Sequence, residues 1–170
     1  MNLEPIKRRQ LTLFLPESNS SDIEKCRAKF NIEQFKIIRA HITLCREHEI
    51  DQLEKVKHYL ENLNFTSFYL ELGKPIRFSG DKGVLISVFG NDELFQKLRT
   101  HILSGIIEYP ETHEPHITIM HPRNSTCTDE IFDTILNLTF PTKLRFDKIS
   151  LIEQTLGEKW NVLEEYKLEN

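Results

Sequence analysis

Apolar residues in this chain change their spacing along it, and each change marks an element. Over residues 51–63, Leu53, Val56, Leu60 and Leu63 recur at intervals of three and four, which gathers them on one side of a helix. Leu94, Leu98, Ile102 and Ile106 repeat that stripe over residues 91–107, behind Asn91 and Asp92, which suit a helix N-terminus. A Ser/Asp cluster at 18–22 offers caps to a helix over 23–30. A further helix over 128–138 opens on Asp129 and Glu130, whose charges complement the positive end of its dipole.

Between these segments the pattern shortens to strands. Residues 11–15 form an apolar run stopped by Pro16, and residues 35–44 are rich in Ile and Phe. Residues 68–72 and 84–89 flank the turn-prone stretch 73–83 and predict an antiparallel ribbon. Strands are also expected over 114–120, 143–154 and 160–168, the last two joined around Gly157. The resulting order is β-α-β-α-ββ-α-β-α-ββ.

Two of the strands carry the same tetrapeptide design, His41-Ile42-Thr43-Leu44 and His116-Ile117-Thr118-Ile119. In an extended strand each sends His and Thr to one face and two aliphatic side chains to the other. Two such matches arise in well under roughly one per cent of shuffled chains of this composition. Each motif strand lies between two helical segments, which suggests a duplicated half whose copies face a common cleft.

Composition narrows the function classes. The 170 residues suffice for one domain, 39% hydrophobic and 28% charged residues are globular values, and no apolar run approaches membrane-spanning length. A net charge of −4 lacks the basic signature of a protein that grips long nucleic acid, so a nucleic-acid substrate would be short or touched at an end. Cys26, Cys45 and Cys127 are odd in number and lack zinc-like spacing; with no apolar leader, this places reduced thiols in the cytoplasm. The chain is expected to be monomeric, with no membrane partner.

A titratable imidazole beside a hydroxyl, offered twice, suits chemistry at phosphorus. The paired motifs resemble those of the 2H phosphoesterase superfamily, particularly its 2′-5′ RNA ligase-like and cyclic phosphodiesterase branch. Glu114-Pro115 before the second motif, His121-Pro122-Arg123 after it and Trp160-Asn161-Val162-Leu163 near the end fit the same setting. The resemblance implies one α+β domain over residues 1–170, bilobed about a pseudo-two-fold axis, with antiparallel sheets lining a central cleft and helices outside. It also implies action on 2′,3′-cyclic phosphate ends of RNA or small nucleotides, or 2′-5′ RNA ligation in reverse, with no metal and no cofactor.

In hydrolysis His41 is assigned as acid and His116 as base, while Thr43 and Thr118 hold the non-bridging oxygens. Arg39 shares the strand parity of His41 and is a candidate substrate contact; Arg46 and Arg123 have the opposite parity and are assigned structural roles. His113 and His116 are expected on opposite faces, against a metal cluster of His113, His116, His121 and Cys127. His48, His58 and His101 are expected in solvent. Phe14 and Tyr166 are aromatic but are given no site role. The alternative function is a non-catalytic module that binds nucleotides or RNA ends.

Overall fold

A computed structural model describes residues 4–78 and 82–170; residues 79–81 of the turn-prone stretch lie outside the described residues. The strands are β1 (Lys7–Phe14), β2 (His41–Cys45), β3 (Phe68–Arg77), β4 (Val84–Val88), β5 (His116–Met120), β6 (Lys143–Phe146), β7 (Lys148–Thr155) and β8 (Asn161–Lys167). The helices are α1 (Glu17–Phe30), α2 (Ile32–Ile37), α3 (Leu53–Glu61), α4 (Glu93–Leu103) and α5 (Asp129–Leu136). The fold is α+β, and its strands join in one antiparallel sheet ordered β6-β3-β4-β5-β2-β1-β7-β8.

That order is symmetric about the β2–β5 junction. Outward from it, β2-β1-β7-β8 on one side matches β5-β4-β3-β6 on the other, and each motif strand follows its paired strand across a helical connection, β1-α1-α2-β2 and β4-α4-β5. The sheet cannot be flat. Six strand spacings separate β6 from β7, about 29 Å at the usual spacing, yet only Asp147 lies between them in the chain, and one residue reaches ~3.6 Å. Strong curling is therefore obligatory. Ser67, just before β3, donates its N–H to the Glu169 carbonyl at 2.6 Å just after β8, which ties the strand next to one end of the sheet to the strand at the other end.

Three expectations change. The Ile/Phe run 35–44 is helical at its start: Phe35 and Ile38 donate N–H groups to the carbonyls of Asn31 and Gln34, so α2 occupies 32–37 and β2 begins only at His41. A short apolar run has no period that separates helix from strand. Residues 143–154 are two strands in opposite halves, broken at Asp147. The first helix begins at Glu17 directly after Pro16, so Ser18, Ser20 and Asp22 lie inside it instead of capping it.

The core lies under the aliphatic faces of the motif strands. Ile42, Leu44, Ile117 and Ile119 are fully buried, beneath α4 residues Phe95, Leu98, Ile102 and Leu103. Of the expected α4 stripe Leu98 and Ile102 are buried, while Leu94 is 44% exposed and Phe95 takes its place inside. Arg99 shares that buried face, a polar residue that apolar periodicity does not anticipate.

Candidate active site

β2 and β5 meet at the register pair Ile42 and Ile117, whose side chains point into the core. One step along antiparallel strands sets His41 beside Thr118 and Thr43 beside His116. All four side chains are half-buried and line one cavity of about 410 Å³. The β-branched Ile and Thr suit the pleat, and the strict alternation fixes which face is wet.

Both imidazoles are oriented in the same way. Nδ1–H of His41 donates to the Arg39 carbonyl at 2.8 Å, and Nδ1–H of His116 donates to the Glu114 carbonyl at 2.9 Å, two residues upstream in each case. That fixes the tautomer and leaves Nε2 for chemistry. Each ring also stands edge-on to a Phe, His41 to Phe14 at 6.2 Å and His116 to Phe78 at 5.9 Å.

Buried arginines hold the segments that lead into the motifs. Arg27 of α1, 1% exposed, donates to the Ile38 carbonyl at 2.9 Å and to Glu24, whose other oxygen accepts the Ala40 N–H at 2.5 Å. In the equivalent helix α4, Arg99 donates to the Leu44 carbonyl of β2, to both oxygens of Glu49 and to the Glu111 carbonyl at 3.0 Å. One guanidinium thus bridges the first motif and the approach to the second. Burial alone would raise Glu49, but hydrogen bonds from Arg99 and Arg46 hold it down to about 2.

The cavity is cationic. Arg8, Arg27, Arg123 and His121 line it together with Trp160 and the amides Gln10, Gln34, Asn124 and Gln154. Burial pushes His41 down to about 4, opposed by its bond to the Arg39 carbonyl and reinforced by the charge of Arg27 and by the His116 and His121 rings. Burial and then the charges of Arg123 and Arg8 lower His121 as well. An anion entering here would meet positive charge in a partly dehydrated site, where such charge acts strongly.

The structure separates some residues that the sequence grouped and gathers others. Arg39 does not line this cavity; it lies over the Phe14 ring at 4.3 Å, 3.7 Å from Glu17, in a neighbouring hollow. Residue 39 precedes β2, so strand parity does not govern it. Arg123 does line the cavity despite its parity, because the chain turns at Pro122. His113 also escapes parity: it precedes β5 in irregular backbone and its ring lies 6.0 Å from that of His116. Arg46 bonds Glu49 beneath the site, and His48, His58 and His101 are exposed. Phe14 supports His41, while the Tyr166 hydroxyl donates to Glu164.

Asn31 shows how distant residues reach the cavity. Its Oδ1 accepts the His121 N–H at 2.7 Å and its amide donates to Asn124, which pins the 121–124 turn to the end of α1. Arg27 carried a faint sequence signal, since it follows Ile23 and Cys26 on one helical face. Arg8, Gln10 and Gln154 carried none.

Fold and cavity together define a phosphoesterase-type scaffold, with two His/Thr pairs facing one cationic cleft. A sequence model of the 2′-5′ RNA ligase superfamily matches residues 15–158, and the chain belongs to that superfamily, a branch of the 2H phosphoesterases. Solved structures share the fold at low identity. Escherichia coli LigT complexed with phosphate superposes with a TM-score of 0.69 at 16% identity, covering 98% of this chain and all of LigT. LigT complexed with 3′-AMP gives 0.70 at 17%, covering 98% and 100%. A protein described as a phosphoesterase gives 0.71 at 15%, covering 97% and 100%. No curated protein sequence matches at a significant level. Among the described residues no helix is long and apolar enough to cross a membrane.

Proposed function

We propose that the chain is a metal-independent phosphoesterase that opens 2′,3′-cyclic phosphates at RNA or nucleotide ends and, in reverse, joins 2′-5′ linkages. The observation that carries it is the Ile42–Ile117 register, which sets each motif's His beside the other's Thr on one cavity wall. All 170 residues act as one unit of two lobes, because each lobe supplies half of the quartet.

In hydrolysis, Nε2 of His116 takes a proton from water as its oxygen attacks phosphorus. Protonated His41 gives its Nε2 proton to the ribose oxygen as the P–O bond breaks. Thr43 and Thr118 donate to the non-bridging oxygens, and the buried charge of Arg27 stabilises the anion from beneath. Because burial holds His41 near 4, acid chemistry needs a proton that enters with the phosphate anion, whose charge favours imidazolium. Side chains supply acid, base and donors, so no step calls for a metal. The phosphate and 3′-AMP held by LigT are the kinds of ligand such a cleft admits.

The test is incubation of the protein with 2′,3′-cyclic AMP in the presence of a chelator, with products resolved by chromatography. Turnover is expected, and His41→Ala or His116→Ala should each remove most of it while thermal unfolding stays close to that of the parent. Stoichiometric binding without product would favour a non-catalytic nucleotide-binding module. Folded histidine variants with full activity would overturn the assignment.

A further inference from the structure

Trp160, the single tryptophan of the chain, sits in the β7–β8 turn and lines the same cavity as the His/Thr quartet. The turn is fastened from several sides. Leu156 donates its N–H to the Ile6 carbonyl at 3.0 Å, Trp160 donates to the Ile37 carbonyl at 2.9 Å, and the buried Gln154 amide donates to the Glu158 carbonyl at 2.7 Å. Gly157, at φ +87°, permits the reversal. The backbone that carries the indole is therefore held in place.

Its neighbours suit a flat, electron-rich ligand. The Arg8 guanidinium lies over the Trp160 ring, 5.6 Å from its centroid, and its Nε donates to Glu47 at 3.0 Å. Leu156, on the cavity wall nearby in sequence, is 60% exposed, an apolar surface that a small phosphate could not cover. The amides near the cavity are already engaged: Gln10 donates to Thr12, Gln154 to Glu158, and the Gln34 oxygen accepts from Asn124. Stacking on the indole is available without breaking any of these bonds.

We infer that Trp160 is the base-recognition residue, a stacking wall for the nucleobase next to the scissile phosphate. The substrate class is then a nucleotide or RNA terminus of any base, in preference to a base-free sugar cyclic phosphate. This rests on the phosphoesterase proposal above. Stacking tolerates every base because each presents a π-face, and an adjacent guanidinium adds attraction.

Two measurements test it, one of them independent of turnover. Trp160 is the only indole, so fluorescence of the full chain titrated with 3′-AMP should be quenched, while inorganic phosphate and ribose 3-phosphate leave it nearly unchanged. In kinetics, Trp160→Ala should raise KM for 2′,3′-cyclic AMP by roughly tenfold to a hundredfold. Its kcat should stay within a few fold, and Trp160→Phe should recover most of the loss. The penalty on ribose 2,3-cyclic phosphate should be much smaller. Equal penalties on the two substrates, or an unchanged KM in Trp160→Ala, would overturn base stacking. Absence of turnover in the unmodified protein would overturn the phosphoesterase proposal instead, and quenching by 3′-AMP would then decide the stacking on its own.

Discussion

Ile42 pairs with Ile117 across the junction of the two half-sheets, and this one register contact determines that His41 stands beside Thr118 and Thr43 beside His116. Neither half holds a complete site. In the proposed mechanism the acid of one motif works next to the oxygen donor of the other, so loss of a hydroxyl in either half should be felt by the chemistry of both.

Thr43→Ala and Thr118→Ala should each slow cyclic phosphate opening by roughly tenfold to a thousandfold, the range for loss of one donor to a developing oxyanion. Steady-state kinetics should place most of the loss in kcat. A loss confined to KM would mean that the hydroxyls bind the ground state alone.

Phosphate binding should carry a proton with it. His41, held near 4 by burial, is neutral at pH 7, and an anion beside it favours the protonated ring. Calorimetric titration of 3′-AMP in buffers of different ionisation enthalpy should show net proton uptake, reduced in His41→Asn. Zero uptake in the parent protein would reassign His41 as the base.

Acid should weaken the fold in two stages. Burial holds His41 and His113 near 4, below the ~6.5 of an unfolded His, so from pH 6.5 down to 4 the unfolded chain binds protons that the native one refuses. Stability therefore falls across that window. Glu49, held near 2 by Arg99 and Arg46, gives stability that is full above about 4.5 and lost as pH drops towards 2. Urea unfolding at a series of pH values should show both slopes, and His113→Phe should flatten the upper one.

The Arg99–Glu49 pair is 2% and 3% exposed, so Arg99→Met should leave the buried carboxylate with Arg46 as its remaining cationic partner and cost about 3–5 kcal/mol. Arg99→Met with Glu49→Leu should regain much of that loss in denaturant unfolding, because the stranded charge is gone. A double variant weaker than the single one would show that the carbonyl bonds to Leu44 and Glu111 dominate.

Asn31→Ala removes the clamp on the 121–124 turn and strands the His121 N–H, at a cost of about 1–3 kcal/mol. Arg123 should then lose its fixed place in the cavity, and KM should rise more than kcat falls.

The motif strands were legible in sequence because their wet and dry faces follow a period of two, which backbone geometry alone imposes. Helices α3, α4 and α5 were legible for the corresponding reason, a period of 3.6. Parity failed at Arg39, His113 and Arg123, all of which lie outside the strands, where no period constrains a side chain.

What the sequence determined by itself is the pair of His/Thr faces, since alternation along one strand is local. Which residues complete the cavity was decided by the curl of the sheet, which brings Arg8 of β1, Arg27 of α1, Arg123 after β5 and Trp160 before β8 to one place. Their meeting depends on strand order and on buried bonds such as Asn31 to His121, between residues far apart in the chain. Those are cooperative properties of the packed whole, and no local spacing encodes them.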